Sequence, residues 1–514
     1  MKLHLPFLVL LVINSACGFS QQKVYNINDY GAHGDGQTNN TVSIQQAIDK
    51  ASENGGGTVL IPEGKFVTGV IEIKSGVTIN LAANASLLGS TKRIDYGPEN
   101  ASALIVANHQ HNIGITGKGT IDGQANELLK DIYVMLNAGT LRDSEWKTEN
   151  PWHQIRPEER NRPKIIEFKD CDSISIKGVF IKDGLCWVQN YKNCSNIIVD
   201  SIHVESNTFL NNDGIDLVDC KNVRVTNSFI NACDDGICLK SEDRNNRCEN
   251  IYIANCRIRS SASALKFGTA SHGGFKNITV RDITVYDTYR SAIALEAVDG
   301  GILEDVDIRN VRATNTGNAI FIRLGHRNKD AVISKVRRVH ISNVKCAVPA
   351  GKPDKGYSME GPLVRYPHNV FPSSVTGLPG HQPEDIVLDS IEIVYEGGAS
   401  KDTAYFNPDS LTSIPENEPG YPEFSMFGEL PVWGFYSRHV NGLTMKNITI
   451  KYQKQDFRPA VIFDDVNGLQ FQKNNIASGK TAPVIILNNT KIISMKDNRL
   501  PFQNKLAIKI TQRH

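Results

Sequence analysis

Three aspartates that precede two similar phrases are the residues of this chain best suited to acid/base chemistry. Asp213 stands just before the phrase Gly-Ile-Asp-Leu at 214–217, and Asp234 and Asp235 stand just before Gly-Ile-Cys-Leu at 236–239. A carboxyl group that keeps its proton, beside one that has lost it, supplies an acid and a base. Asp213, Asp234 and Asp235 are therefore the candidate catalytic residues, provided that the fold brings the two phrases together.

The same alternating apolar phrase recurs through the chain after residue 100. Where the phrases lie closest they are about 23 to 28 residues apart, and no helical period separates them. Short strands of period two, divided by Asn and Gly, are typical of a solenoid in which each coil stacks on the last. The phrases begin at Ile113, Ile174, Ile197, Val223, Ile251, Ile278, Val306, Val339, Ile386, Leu443, Leu469 and Ile492. We expect an all-β fold, a single right-handed parallel β-helix.

Two residue types recur at fixed positions of the repeat. One turn position holds Asn196, Asn222, Asn250 and Asn277. Asn tolerates the left-handed backbone of such turns, and stacked amides can hydrogen-bond along the axis. The position three residues before the apolar pair holds Cys171, Cys194, Cys220 and Cys248. The second pattern predicts a ladder of small buried side chains rather than disulfides, although a bridge between Cys233 and Cys238 stays open.

The N-terminal segment lies outside the repeat. Residues 1–20 combine Lys2 with a short apolar run at 5–13 and small residues up to Ser20, which is typical of a secretory signal peptide. We therefore expect export, to a periplasm or to the exterior, and a β-helix catalytic domain over residues 21–514. Lipid anchoring through Cys17 is the less favoured alternative, because Asn14 is a poor lipobox residue.

A capping helix and two inserted loops complete the predicted architecture. Apolar residues near helical spacing occur between Thr41 and Glu53, at Val42, Ile44, Ala47, Ile48 and Ala51, and glycines 55–57 follow. Such a helix would cover the open end of the first coil. The inserted loops lie near 126–163 and 349–440, and long excursions of this kind usually form the walls of a binding groove. The aromatic residues of the second loop could equally be packing residues.

The coil alignment predicts which side chains leave the core. The Ile and Leu positions of successive phrases should point inward, because strand side chains alternate. One outward column then contains Asp216, Cys238, Lys266 and Ala294, and the next contains Val218, Lys240, Gly268, Glu296 and Arg323. Asp234 and Asp235 can both reach the groove only if the chain bends there, and the adjacent Gly236 allows a bend.

Stacked coils would place Asp213 close to Asp235, since strands lie about 4.8 Å apart. At least one carboxyl group should then have a raised pKa. The alternatives are a calcium site, which uses the same oxygen ligands, and an ion-pair network with Lys240 and Lys266. The position of Asp213, one coil away and in register, favours catalysis, and we expect neither a metal nor a cofactor.

These motifs resemble those of the polygalacturonase family, glycoside hydrolase family 28 of the pectin-degrading β-helix superfamily. Residues 211–213, Asn-Asn-Asp, are similar to the family's Asn-Thr-Asp motif, and Asp234-Asp235 is similar to its Asp-Asp motif. The resemblance covers nearly all of the chain after residue 20. It implies hydrolysis of a pectin-related polysaccharide or oligosaccharide, with Asp234 as the general acid and Asp213 and Asp235 jointly activating water.

The same resemblance implies inversion at the anomeric carbon without a metal or a covalent intermediate. The spacing alone suggests the opposite outcome, because carboxyl groups about 5 Å apart are typical of retaining glycosidases.

The departures from the family pattern concern residues that would bind the substrate. The family's Gly-His-Gly motif aligns with 261–263, which is Ser-Ala-Ser, and its Arg-Ile-Lys motif aligns with 292–294, which is Ala-Ile-Ala. Two cations that would hold galacturonate are missing, so we expect an atypical member that acts on a rhamnogalacturonan or a pectic side chain. Other cations near the same face could replace them, and Glu296 could contact sugar hydroxyls unless it pairs with Arg323. The expected substrate-binding residues are Asn211, Asp216, Lys240, Lys266, Arg290, Glu296, Arg323 and His326.

Composition limits the partners. Lys plus Arg total 56 and Asp plus Glu total 55, a net charge of +1, so the bulk charge favours neither nucleic acid nor an anionic membrane. No apolar run after the N-terminal segment is long enough to span a bilayer. We also expect the protein to be a monomer.

Two other functions stay open. A β-helix polysaccharide lyase would need a calcium-bound uronate and a basic proton abstractor, and a noncatalytic glycan-binding β-helix, such as an adhesin, would not need three acids in register.

Overall fold

The structure is a computed structural model that describes residues 23–147, 156–357, 371–399, 410–479, 483–501 and 508–511. The predicted signal segment, with Cys17, lies outside the described residues. Within them, short strands dominate, and all pairings between named strands are parallel. The chain forms a right-handed parallel β-helix, as the repeat predicts. None of the helices in the described ranges has the length and apolar character that crossing a membrane requires.

The strands follow one another with short turns. Up to residue 226 they are β1 (Val24–Asn26), β2 (Asp35–Asn39), β3 (Gly57–Ile61), β4 (Gly64–Thr68), β5 (Ile71–Glu72), β6 (Val77–Leu81), β7 (Ala85–Gly89), β8 (Ile105–Asn108), β9 (His111–Gly117), β10 (Thr120–Asp122), β11 (Ile166–Lys169), β12 (Asp172–Lys177), β13 (Phe180–Lys182), β14 (Gln189–Lys192), β15 (Ser195–Asp200), β16 (His203–Ser206), β17 (Ile215–Val218) and β18 (Lys221–Thr226). After it they are β19 (Phe229–Ala232), β20 (Ile237–Ser241), β21 (Cys248–Ala254), β22 (Arg257–Ser260), β23 (Leu265–Ser271), β24 (Gly274–Ala297), β25 (Ile302–Leu324), β26 (Lys335–Val348), β27 (Ser373–Thr376), β28 (Glu384–Gly397), β29 (Phe435–Lys446), β30 (Thr449–Lys454), β31 (Val461–Gln472), β32 (Asn475–Ile476), β33 (Ile485–Asn488), β34 (Lys491–Lys496) and β35 (Ile508–Thr511).

Three parallel sheets result from this stacking, and long strands such as β24 and β25 bend from one sheet to the next. One sheet, which we call the site sheet, runs from β5 through β14, β17, β20 and β23, and continues into the end of β24. Its inward Ile and Leu side chains are fully buried, as alternation predicts. The site sheet carries both aspartate phrases.

The predicted Asn ladder is present at one corner of the coils. Asn222 donates its side-chain amide to the Asn196 carbonyl Oδ1 at 3.1 Å, Asn250 donates to Asn222 at 3.0 Å, and Asn277 donates to Asn250 at 2.7 Å. All four residues have φ between 54° and 58°, a left-handed conformation that Asn adopts at low cost. The ladder therefore fixes the vertical register of these coils.

The cysteine ladder is also confirmed. Cys171, Cys194, Cys220 and Cys248 are all buried, and backbone amides of the next coil donate to the carbonyl groups of the first three. Cys238 is a free thiol, so the bridge to Cys233 that the sequence leaves open is not formed.

In the described part of the chain, two α-helices accompany the coils: α1 (Thr41–Glu53) and α2 (Ala125–Asn137). Helix α1 is the predicted cap, and four of its five apolar positions are buried, whereas Val42 is exposed. Helix α2 occupies the first predicted insertion, where we expected a loop. Shorter 3-10 turns lie at Ile27–Tyr30, Arg93–Tyr96, Glu159–Asn161 and Leu411–Ser413.

The second predicted insertion is divided by the solenoid itself. Strands β27 and β28 lie within 349–440 and pair with neighbouring coils, so the chain leaves the repeat before β27 and again after β28. The later excursion covers the outer side of the site sheet. An apolar cluster joins outward residues of the sheet to residues of the excursions: Ala294, Phe321, Tyr436, Ile462 and Ile486 from the sheet, and Phe371, Leu411, Ile414, Phe424, Phe427, Leu430 and Val432 from the excursions. Most of the described aromatic residues of this region are packing residues.

Candidate functional site

The three candidate aspartates lie in turns at the start of two stacked strands of the site sheet. Residues 233–236 form a bend before β20, so the alternation of a strand does not apply to Asp234 and Asp235. The backbone amide of Gly214 donates to the Asp235 carbonyl at 2.9 Å, and the amide of Asp234 donates to the Asn212 carbonyl at 3.3 Å. The turn before β17 is thus directly stacked on the turn before β20, as the coil alignment predicts.

Glycine is required in these turns because the coils approach closely. A Cβ atom on Gly236 would lie 2.4 Å from Ile258 Cγ2 and 2.7 Å from the Ala264 carbonyl oxygen. A Cβ atom on Gly214 would lie 2.6 Å from the carbonyl oxygen of Gly236. The glycines therefore allow the two turns, and the carboxyl groups beside them, to stack.

The strand register confirms one of the two predicted outward columns. Asp216 lies opposite Cys238, which lies opposite Lys266, which lies opposite Ala294. The other column is interrupted, because the register shifts between Leu239 and Ser241 where β20 meets β23.

The ammonium group of Lys240 is the centre of one buried charge cluster. Its Nζ lies 2.9 Å from Asp213 Oδ2, 2.5 Å from Asp216 Oδ1 and 3.2 Å from Cys238 Sγ. It also lies 4.3 Å from the centre of the Trp187 ring. Ligand atoms of Asp213, Asp216 and Cys238 lie within 4.8 Å of one another, a spacing that suits a metal, but the ammonium group contacts all three residues. This is the ion-pair alternative that the sequence left open.

The Lys240 ammonium group is thus the shared ion-pair partner of two buried carboxyl groups, those of Asp213 and Asp216. Burial raises the pKa of Asp213 well above its usual range, and the neighbouring charge of Asp216 adds to the effect. Burial also raises the pKa of Asp216, to about 6. Asp216 is fully buried, and its Oδ2 has no hydrogen-bond partner among the described residues. The pair is therefore expected to share a proton under mildly acidic conditions.

Lys266 holds the second cluster. Its Nζ lies 2.9 Å from Asp235 Oδ2 and 2.9 Å from the Tyr421 hydroxyl oxygen. Burial alone would raise the pKa of Asp235, but the charges of Lys266, Lys240 and Arg290 lower it below its ordinary value. The Asp235 Oδ1 also accepts a hydrogen bond from the Ser263 backbone amide at 3.1 Å. Asp235 is thus held in its ionised form.

Asp234 differs from its neighbour in both surroundings and charge. It is partly exposed, whereas Asp213 and Asp235 are buried. Its Oδ1 accepts the Asp235 backbone amide at 3.0 Å, and its Oδ2 accepts the Asn211 side-chain amide at 3.4 Å. Burial raises the pKa of Asp234, and so does the charge of Asp235. One carboxyl group with a raised pKa therefore lies beside one whose pKa is lowered.

A cavity of about 310 Å³ opens over these groups. Seven of the predicted site residues line it: Asn211, Asp213, Asp234, Asp235, Lys240, Lys266 and Arg290. The cavity is strongly charged, with acids and bases on its floor and walls. A polar glycan with hydroxyl and carboxylate groups suits such a lining better than an apolar ligand.

Four predicted substrate contacts lie away from the cavity lining. Arg323 donates to the Gly377 carbonyl at 3.0 Å and to the Glu416 carbonyl at 2.7 Å, and His326 Nδ1 lies 3.9 Å from Glu418 Oε1. Asp216 is sealed beneath Lys240. Glu296 accepts a hydrogen bond from the Thr269 hydroxyl at 3.3 Å, and burial raises its pKa to about 7. These four residues do not line the cavity, because strand alternation predicts the face of the sheet and not what covers it, and their contact with substrate stays a prediction.

Several further lining residues are not among the eleven predicted site residues. They are Arg156, Glu159, Trp187, Leu210, Cys233, Glu242, Thr269, Ala270, Arg327 and Tyr421. Arg156 and Glu159 come from the first insertion, and Tyr421 comes from the later excursion, where no repeat exists to place a residue. Trp187 lies two residues before β14.

A family model described as glycosyl hydrolases family 28 matches residues 52–355. The exo-poly-alpha-D-galacturonosidase of Dickeya chrysanthemi is 25% identical over 357 residues, which cover 60% of this chain and 58% of that relative. The endo-polygalacturonase of Pectobacterium carotovorum subsp. carotovorum is 22% identical over 307 residues, which cover 56% of this chain and 73% of the relative. The chain therefore spans little more than half the length of the first of these relatives.

A solved structure supports the fold. The hyperthermoactive exopolygalacturonase from Thermotoga maritima matches with a TM-score of 0.56 and 22% identity, over 73% of this chain and 87% of that chain. At this identity the likeness establishes the β-helix fold and leaves the chemistry to the residues of the cavity.

Proposed function

Because the chain belongs to family 28 of the glycosyl hydrolases, we propose that it hydrolyses glycosidic bonds in a pectin-related polysaccharide or oligosaccharide. The observation that carries this proposal is the pair Asp234 and Asp235. Their side chains line one cavity, and their pKa values are displaced in opposite directions, upward for Asp234 and downward for Asp235. Acid/base hydrolysis needs one carboxyl group in each state.

In the proposed mechanism Asp234 is the general acid. Its partial exposure lets it reach the glycosidic oxygen, and its raised pKa keeps a proton available for the leaving group. Asp235 takes the proton of the attacking water, because Lys266 keeps it ionised. Asp213 was expected to share this role, but its raised pKa leaves a smaller fraction of it ionised and able to accept a proton. Asp213 instead helps to place the water, and Lys240 fixes its orientation.

We also propose that attack inverts the anomeric configuration, as the family resemblance implies. Water then attacks directly, and no covalent glycosyl intermediate forms. Proton NMR of the first product released distinguishes the outcomes, since an inverting enzyme yields the opposite anomer before mutarotation. Release of the same anomer as in the substrate would show retention.

The proposed substrate is a rhamnogalacturonan or a pectic side chain rather than plain polygalacturonate. The histidine of the family's Gly-His-Gly motif is absent at 261–263, and the two cations of its Arg-Ile-Lys motif are replaced by alanines at 292–294. We further propose export, which is supported by the pattern of residues 1–20; the N-terminal sequence of protein recovered from culture fractions would test it.

The experiment is replacement of Asp234 by Asn, assayed on a panel of pectic oligosaccharides by reducing-sugar release. We expect kcat to fall by about 10²- to 10⁴-fold, because a general acid contributes about that much. Asp307→Asn, a part-exposed aspartate in a strand outside the cavity, is the matched control and should leave kcat unchanged. Unchanged sugar release by D234N would refute the general-acid assignment, and absorbance from an unsaturated product would indicate a lyase.

A further inference from the structure

The cations that line the cavity differ in how fully their charge is compensated. Lys240 contacts two carboxylates, and Lys266 contacts Asp235. Arg290 Nε lies 3.3 Å from Glu423 Oε2. Arg327 donates from Nε and Nη2 to Asp299, at 2.9 and 2.7 Å. Each of these four cations has a carboxylate oxygen of the protein within 3.3 Å, although Arg290 Nε makes no hydrogen bond in the described part of the chain.

Arg156 is the exception among the described lining residues. It is 7% exposed, yet its Nε and Nη1 have no hydrogen-bond partner in the described part of the chain. Its nearest ion-pair contact is Glu159, with 4.0 Å between Nη1 and Oε1, and the Glu159 side chain is 48% exposed. A solvated carboxylate at that distance compensates a buried guanidinium poorly. A buried charge with unused donors normally has an ionic partner.

A second arginine makes this corner of the cavity more positive. Arg162 is almost fully buried, and its guanidinium donates only to neutral acceptors in the described structure: the Leu185 and Leu210 carbonyls at 2.9 and 2.8 Å, and Asn211 Oδ1 at 3.0 Å. Burial lowers the pKa of Arg162, and the charge of Arg156 lowers it further. Cys186, Glu159 and, most weakly, Glu145 oppose this effect. Two guanidinium groups thus lie near Glu159, whose side chain is half-exposed.

The positive corner is connected to the proposed acid. Arg162 donates to Asn211, and Asn211 donates to Asp234 Oδ2 at 3.4 Å. Arg156, Asn211 and Asp234 all line the same cavity. A sugar unit bound beside Asp234 would therefore have Arg156 within its reach.

We propose that Arg156 binds the carboxylate of a uronate unit of the substrate and so decides between acidic and neutral glycans. This inference rests on the proposed function of the cavity. Guanidinium to carboxylate hydrogen bonds are charge-assisted, and the substrate would supply the anion that Arg156 lacks. The first insertion would then provide the carboxylate-binding cation that the coil at 292–294 has lost.

The test compares Arg156→Gln with Arg156→Lys and with a matched control. Arg160→Gln is the control, since Arg160 lies in the same insertion, pairs with Glu158 outside the cavity and has a side chain that is 47% exposed. The substrates are an oligogalacturonide, a rhamnogalacturonan oligosaccharide and the methyl ester of each. We expect R156Q to lower kcat/KM on the acidic forms by about 10- to 100-fold and to leave the methyl esters nearly unchanged. R156K should keep part of the activity, and R160Q should keep all of it.

A binding measurement separates this inference from the proposed function. In the Asp234→Asn background, calorimetric titration with the same acidic oligosaccharides should show binding that R156Q weakens by the same factor. If no glycan is hydrolysed but R156Q still weakens binding of the acidic forms alone, the catalytic proposal fails and this one stands. If R156Q weakens binding of the acidic and esterified forms equally, or leaves the binding of both unchanged, Arg156 does not recognise the uronate carboxylate and the inference is wrong. Thermal unfolding of R156Q near that of wild type rules out misfolding as the cause.

Discussion

Lys266 is expected to control both the stability of the protein and the acidic side of its pH profile. Its ammonium lies 2.9 Å from Asp235, and the two side chains are 4% and 3% exposed. Lys266→Met would leave the Asp235 carboxylate buried with the Ser263 amide as its closest donor and Lys240 and Arg290 as more distant charges. The variant therefore removes the nearest compensation of a buried charge.

The expected loss of unfolding free energy in Lys266→Met follows from the burial of both Lys266 and Asp235. Removing one partner of a buried ion pair costs about 3–5 kcal/mol of unfolding free energy. We expect about 3 kcal/mol, at the low end, because other donors and charges remain. An exposed pair would cost about 0–1 kcal/mol, so Lys451→Met is the matched control; Lys451 lies 3.3 Å from Glu392, with side chains 42% and 38% exposed.

The loss should depend on pH with a definite sign. In the wild type the lowered pKa of Asp235 contributes stability that is present above the ordinary Asp pKa and is lost as the pH falls through the folded value. In K266M the pKa of Asp235 rises, so protonation relieves the buried charge at a higher pH. The stability difference should therefore be largest near neutral pH and shrink towards about pH 4. The acidic limb of kcat/KM should move to higher pH for the same reason.

Urea unfolding of wild type, K266M and K451M at several pH values measures the difference in stability. Initial rates over the same pH range give the position of the acidic limb of kcat/KM. The double variant Asp235→Asn/Lys266→Met should recover stability relative to K266M, because it no longer buries an uncompensated charge. A stability loss that is constant with pH, together with an unmoved acidic limb, would refute the electrostatic reasoning and reduce Lys266 to a packing residue.

Three further variants test other parts of the structure. Glu296→Gln should stabilise the protein by on the order of 3 kcal/mol above about pH 7 and should change its stability little below the ordinary Glu pKa. The reason is that the pKa of the wild-type carboxyl group is raised to about 7, so the wild type loses stability as the pH rises from the ordinary Glu pKa to about 7. Equal urea midpoints of the variant and the wild type at both pH extremes would contradict this. Asn222→Ala should lower the unfolding free energy by about 2 kcal/mol, because Ala disfavours the φ of 57° and the side-chain hydrogen bonds to Asn196 and Asn250 disappear. Asn222→Gly should lose only the part due to these hydrogen bonds, since Gly adopts this φ freely. Thermal unfolding that shows equal losses for the two Asn222 variants would show that the backbone conformation contributes nothing.

The features that repeat were predictable from the sequence. The strand phrases, the Asn ladder, the cysteine ladder and the stacking of Asp213 on Asp235 follow from a period that the coil spacing imposes. The cap helix α1 was predictable because its apolar face has a helical period. Helix α2 had a comparable signal in Ala125, Leu128, Ile132 and Leu136, which are all buried, but it lies within an interruption of the repeat.

The features that do not repeat were not predictable in this way. The alignment gave Arg323 the correct strand face, but it could not show that the later excursion covers that face and supplies carbonyl acceptors. Arg156 and Tyr421 reach the cavity from segments without periodicity, so no neighbouring coil indicates their position. The pKa directions of Asp234 and Asp235 likewise depend on which cations the fold brings near, and not on their order in the chain.

The division of the cavity between coils and excursions has a consequence for how such proteins diverge. The acid and base stand on turns whose spacing is dictated by neighbouring coils, so a change there disturbs the whole stack. Arg156 and Tyr421 stand on segments that leave the stack and return to it. Insertions, deletions or exchanges in those segments can alter which glycan is accepted while the reacting carboxyl groups keep their places. Specificity in this scaffold can therefore evolve, or be engineered, by grafting loops onto an unchanged catalytic turn pair.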